Sequence, residues 1–318
     1  MSLEAELIEI KSKVLKNNAL GDPEERKILV FHPEKLEPGA PLLIELAGLN
    51  GTPKLNNRFS QVMNKLYKKN MLGNSVIINP DFSTKFHVNQ YMNSPSVGNY
   101  EDFIIKEIIP FISEKFKTGK TALFGKSSGG FGAYTLAARN PEIINGFADH
   151  FGDSGFEYVY IPDMPIAYRE LKGVNVMDYL NEKSTKEDLT DNEIRTLNII
   201  GMSAFYSYSS NSESGLDLPF DQNTGMFRDD IWNRWVSFDP AKNIENNVEN
   251  LKKLDAIYLD VGLKDEYSLY MGMGTLHEKM EKSGINHRYE EFDGGHFYNT
   301  PRYEKSLPFL VDRLMESN

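Results

Sequence analysis

The chain has 318 residues, 40% of them hydrophobic and 25% charged, the composition of a folded protein with room for one large core and an insertion. A formal charge of −11 argues against nucleic acid or an anionic membrane surface as partner, and no apolar run approaches the ~18–20 residues of a helical membrane span. Cysteine is absent, which removes disulfides, thiolate-held zinc and thiol nucleophiles together, so a catalytic nucleophile must be oxygen or nitrogen.

The opening MSLEAELIEIKSKVLKN alternates charge with Leu and Ile and reads as an amphipathic helix, without the unbroken apolar stretch of a signal peptide; a cytoplasmic location is expected. Short apolar runs follow at Lys27–His32 and Leu42–Leu46, both predicted strands. The second ends in Ala47-Gly-Leu-Asn-Gly-Thr52, a small loop able to present a backbone N–H. Standing alone it is only a turn; after an early strand it is a candidate oxyanion loop, with Leu49 the chosen donor. Another strand is predicted at Ser75–Asn79, and the segment Asn93–Asp102 is expected near the ligand-binding end of the sheet. Glu101–Phe116 has Ile105, Ile109, Ile112 and Phe116 at helical steps, with Pro110 predicted to kink or divide the helix.

Next comes Thr121-Ala-Leu-Phe-Gly125-Lys-Ser127-Ser-Gly129-Gly, leading into an alanine-rich helical segment. A bare G-x-S-x-G turns up by chance in about one chain in ten of this size. A strand running into it and a helix leaving it make the signal specific, because that is the setting of a nucleophile elbow in an α/β-hydrolase fold. Glycines two residues either side of the serine remove side chains that would strike neighbouring backbone. Ser127 is therefore the nucleophile, and Ser128 contributes its backbone N–H to the oxyanion hole. The bland alternative is a glycine-rich turn that binds nothing, or binds a phosphate.

A strand at Gly146–His150 precedes a long stretch, about 154–240, with helical patterns but no convincing strand; it is predicted to be an inserted helical cap. Its many aromatics, among them Phe156, Tyr160, Tyr206, Trp232 and Trp235, either fill a core or line an apolar pocket. Asp149, His150 and Asp153 gather metal-ligand types, but alternate residues of a strand face opposite ways, so no metal is assigned. The strand Ala256–Val261 leads to Gly262-Leu-Lys-Asp265-Glu266, with Ser268 capping the next helix. Asp265 is the expected partner of the base, Glu266 the runner-up and Asp260 third; a carboxylate at a helix start is also an ordinary dipole partner. Of the histidines after Ser127, His150 falls on the strand beside the elbow, His277 mid-helix and His287 at a strand start. His296 follows the strand Arg288–Phe292 through two glycines, at the carboxyl end where open α/β sheets collect their sites, and is the base. The last helix is predicted to open on Thr300 and Pro301 and to bury Tyr303, Leu307, Leu310, Val311 and Leu314.

On Ala47-Gly-Leu-Asn-Gly51, Asn93–Asp102, Gly125-Lys-Ser-Ser-Gly-Gly130, Gly262–Tyr267 and Gly294-Gly-His296, the chain resembles the esterase family that includes esterase D and the enterochelin esterases. The resemblance spans about residues 42–308. It implies an α/β-hydrolase fold, with a mostly parallel sheet flanked by helices, and the same roles for Ser127, Asp265, His296, Leu49 and Ser128. Ala47 stands where many relatives carry histidine, and the elbow reads G-K-S-S-G rather than the G-H-S-M-G of esterase D. No formylglutathione substrate is therefore carried over.

Taken together, the chain is expected to be one α/β-hydrolase domain acting as a serine carboxylesterase on a small-molecule ester. An acyltransferase or thioesterase would use the same triad, and a non-catalytic binding protein could retain the fold. Nothing in the sequence supports a cofactor, and homo-oligomerisation stays open.

Overall fold

A computed structural model describes residues 3–48, 51–55, 57–186 and 188–316. Strands β1 (Leu3–Lys11), β2 (Glu25–Pro33), β3 (Leu42–Leu46), β4 (Val76–Pro80), β5 (Thr121–Lys126), β6 (Gly146–His150), β7 (Ala256–Gly262) and β8 (Arg288–Phe292) form one sheet in the order β1-β2-β4-β3-β5-β6-β7-β8. β2 runs antiparallel to both β1 and β4; the other pairings are parallel. The chain moves from β3 outward to β4, and from β5 outward through β6, β7 and β8 on the other side. The order thus reverses between β3 and β5, and such a switch point opens a crevice beyond the strands' carboxyl ends. Ser127 and the Ala47–Gly48 loop both lie there.

Central strands are buried on both faces, which explains their near-continuous apolar runs. Leu42, Ile44, Leu123, Phe147, Ile257 and Leu259 face one core, and Leu43, Ala122, Phe124, Ala148 and Tyr258 the other. The smaller core is closed by α1 (Arg58–Lys68) and by the C-terminal helix, Tyr303–Glu316. The helical segment 100–116 covers part of the larger one: a widened π-type turn (Phe103–Ile108) leads into α2 (Ile109–Phe116), whose first turn holds Pro110. Proline offers no N–H to the preceding turn, so the division falls where the sequence predicts it. α3 (Ser128–Arg139) leaves the elbow and packs on the same face.

Between β6 and β7 lie α4 (Met164–Leu171), α5 (Val176–Lys183), α6 (Asp191–Tyr206) and α7 (Asp229–Val236). Thr190 and Glu193 form a reciprocal capping box at the start of α6. Phe156, Tyr160, Tyr206 and Trp235 pack together in the larger core, mostly edge-on, the Phe156 and Tyr160 rings being 4.9 Å apart. α8 (Leu269–Lys282) joins β7 to β8, and α9 (Tyr303–Glu316) ends the fold.

Two local expectations are corrected. The N-terminal segment is a strand, not an amphipathic helix: Leu3–Lys11 zips antiparallel onto β2, with Ile8 and Ile10 packed on the core and Leu7 turned outward. Its helix-forming Glu, Leu and Ala yield to the free edge of β2, a case of tertiary pairing overriding local preference. The last helix begins at Tyr303, after a 3-10 turn at Thr300–Arg302, and Thr300 serves instead as a side-chain partner of Lys126. Its buried stripe is the predicted one.

Candidate active site

At the apex of the β5–α3 turn, Ser127 has φ 56° and ψ −126°, a conformation that ordinary side chains avoid. The neighbouring glycines make that turn sterically feasible. A Cβ at Gly129 would overlap the Leu46 carbonyl, and one at Gly125 would overlap both that carbonyl and the Gly129 backbone. The Ser127 N–H donates to the His150 carbonyl at 3.0 Å, extending the β5–β6 pairing through the elbow. Ser128 is the first residue of α3, so its backbone N–H belongs to the helix's unsatisfied first turn.

Ser127, Ser128, Ala47, Gly48 and His296 line one cavity of about 360 Å³. His296 Nδ1 lies 2.8 Å from Asp265 Oδ2, with Asp265 buried. The other oxygen of Asp265 accepts from the Tyr267 N–H at 2.9 Å and the Leu269 N–H at 3.4 Å. Asp265 therefore both caps the start of α8 and turns its remaining oxygen to the imidazole. Glu266, the runner-up, holds the same residue differently: its Oε2 accepts from the His296 backbone N–H at 2.6 Å. Asp260 is turned away, bonded to His150 and Arg302. Phe151 and Tyr267 contact the His296 ring edge-on, at 5.0 and 4.8 Å between centroids.

The loop after β3 is pinned from behind, because Tyr91 donates its hydroxyl to the Ala47 carbonyl. Leu49 itself lies outside the described residues. Below the elbow, Tyr303 donates to Glu45 at 3.0 Å, while Lys126 donates to Thr300 at 3.0 Å. Burial pushes Glu45 up to about 7 against the pull of Lys126 and Tyr303, and burial lowers Lys126 against the pull of Glu45. Asp153 also reaches the cavity; burial raises its pKa although Gln90 and Tyr160 each donate to it at 2.9 Å. Arg195 from α6 lines the opposite wall, paired with Asp163.

The lining differs from the sequence reading in two respects. Its aromatic members are Phe59, Phe151, Tyr267, Phe297 and Tyr298, and none of the residues at 93–102 is among them. Trp235, Phe156, Tyr160 and Tyr206 take the core-filling role, one of the two the sequence offers them, while Ser94 and Ser96 bond the Ala204 and Gly215 carbonyls and so brace the helical stretch. The buried Glu45 bonded by Tyr303, with the charge of Lys126 nearby, went unforeseen, since a lone glutamate inside a predicted strand gives no hint of its partner. Asp149 and His150 do face opposite ways: Asp149 accepts from Gly152 N–H, and His150 bonds Asp260 and Ser306.

This strand order, with a strained serine turn at its switch point, defines the α/β-hydrolase fold. Solved structures agree. A ferulic acid esterase superposes with a TM-score of 0.64 at 19% identity, covering 98% of both chains. An S-formylglutathione hydrolase from Agrobacterium tumefaciens gives 0.59 at 15% identity, over 98% of this chain and 95% of that one. The Staphylococcus aureus fluorophosphonate-binding serine hydrolase FphF gives 0.59 at 14% identity, over 98% of each. At these identities the likeness establishes the fold. Comparison with curated protein sequences finds no match. The family described as "Putative esterase" matches residues 19–311, and the chain belongs to it. It is a carboxylic ester hydrolase.

Proposed function

We propose that Ser127 is the nucleophile, His296 the general base and Asp265 the residue that fixes the imidazole, with the Ser128 and Leu49 amides as oxyanion donors. The observation that carries this reading is the link from Asp265 to His296 at the wall of the cavity that also holds the strained Ser127. Ser127 Oγ attacks the ester carbonyl as its proton passes to His296 Nε2, and the developing oxyanion is met by the two amides. Collapse expels the alcohol, which takes the proton from His296 and leaves an acyl group on Ser127 Oγ. Water, deprotonated by the same imidazole, then attacks that acyl carbon and releases the acid. The helical stretch at about 154–240 acts as a cap, with Arg195 and Asn198 of α6 forming one wall of the pocket.

The substrate is a small-molecule ester. Among the described residues no helix is long and apolar enough to cross a membrane; we place the enzyme in the cytoplasm. The deciding experiment is labelling with a fluorophosphonate probe followed by peptide mapping. Modification of Ser127, abolished in Ser127→Ala, is expected; labelling on another residue, or none, overturns the assignment.

A further inference from the structure

Away from the cavity, the far end of α8 carries ligand-type side chains that the esterase reaction does not use. α8 starts beside Asp265 and ends at Lys282, and residues 283–287 turn the chain into β8. His277 and Glu281 stand four residues apart on this helix and so share a face. His287 comes across from the turn, and one ligand atom from each of the three residues lies within 4.8 Å of the others.

The hydrogen bonds fix which nitrogen is available. The His287 side chain is fully buried, and its Nδ1 lies 2.8 Å from the Ile285 carbonyl. A carbonyl only accepts, so Nδ1 carries the proton and Nε2 keeps its lone pair. That lone pair meets His277 Nδ1 at 2.8 Å, which must then donate. Tyr289 stacks on the His277 ring, centroids 4.1 Å apart and planes 13° from parallel, and holds its orientation. Glu281 is exposed, with its Oε1 3.9 Å from His287 Nε2. A backbone carbonyl on the far nitrogen is how metal-ligating imidazoles have their tautomer set.

From this geometry we propose that His277, Glu281 and His287 form a zinc site that clips the end of α8 to the foot of β8. Two imidazoles and a carboxylate suit zinc, with water in the fourth position, whereas calcium and magnesium favour all-oxygen sets. Two nitrogens on tetrahedral zinc sit about 3.3 Å apart. The pair at 2.8 Å therefore separates by roughly half an ångström, and the exposed Glu281 swings in. The neutral His277 ring keeps one proton, moved from Nδ1 to Nε2, so no net change in protonation is needed. The clipped elements are those whose opposite ends carry Asp265 and His296, yet the ion takes no part in ester chemistry.

The test is titration of metal-free full-length protein with zinc chloride, read by calorimetry and by thermal unfolding, with cobalt(II) absorption as a spectroscopic probe. One zinc per chain and a Tm raised by a few degrees are expected for wild type and equally for Ser127→Ala. His277→Gln and Glu281→Gln should each weaken binding by about tenfold or more. His277→Gln should also remove the visible cobalt bands. Both residues are at least partly solvent-facing, so these variants should fold even if the buried His287→Ala does not. Absence of binding at roughly 100 µM zinc, or binding unchanged in His277→Gln, overturns the proposal.

Discussion

Ser306 Oγ lies 2.8 Å from His150 Nε2, and His150 Nδ1 lies 2.7 Å from Asp260 Oδ1. These are the residue types of the proposed triad, brought together on α9, β6 and β7, but all three are fully buried. Residue identity therefore does not single out the proposed nucleophile; access and backbone do. Ser127 meets the cavity from a strained turn, while Ser306 sits inside a helix and ties it to the sheet.

Ser306→Ala should consequently act on stability alone. It leaves a buried imidazole nitrogen without its partner, which costs about 1–3 kcal/mol. Urea unfolding should show the lower midpoint, with fluorophosphonate labelling of the folded protein unchanged. Lost labelling would mean that this relay reaches the active site.

Asp265→Asn should depress kcat far more than it alters KM. The amide carbonyl can still accept from the Tyr267 N–H, but its NH₂ now faces His296 Nδ1. The imidazole must then carry its proton on Nε2, where it cannot accept one from Ser127. Steady-state kinetics on an aryl ester should show a loss of about three to four orders of magnitude in kcat.

Gly129→Ala tests the elbow's steric requirement. The added methyl meets backbone, the Leu46 carbonyl, which no rotamer change can move aside. Unfolding free energy should fall by about 1–3 kcal/mol or more, and ester hydrolysis should fall with it because the displaced turn carries Ser127. An alanine variant as stable and active as wild type would show that the turn tolerates a side chain there.

Asp149→Asn should flatten part of the pH dependence of stability. Burial raises Asp149 from the ordinary 3.8 to about 8, despite the Gly152 N–H bonded to it. Between those values the unfolded chain has lost this proton and the folded one keeps it, so rising pH favours unfolding. Wild type should lose stability across pH 4–8 relative to the asparagine variant, and level off above. Urea midpoints measured at intervals of one pH unit check this; a difference independent of pH would contradict it.

Much of this arrangement was legible because it rests on local patterns. β3, β6 and β8 fall on the predicted residues: β3 is a short apolar run buried along its whole length, while β6 and the partly exposed edge strand β8 are short segments bounded by turn residues. Ser127, Asp265 and His296 each follow a strand through glycine-rich or helix-starting sequence, and the structure brings the last two into contact at the cavity that holds the first. What failed depended on distant partners. β1 reads as a helix until β2 offers its edge. Glu45 bonds Tyr303, and comes under the charge of Lys126, only once β3, β5 and α9 converge.

Adjacent carboxylates hold two different parts of His296: Asp265 the ring, Glu266 the main chain. Where the loop sits and how the imidazole is aimed are thus set by separate anchors one residue apart. A change at 266 can shift the whole loop with the ring still tethered, and a change at 265 can release the ring from a loop that stays in place. Placement and aim of this imidazole can accordingly drift independently as related sequences diverge.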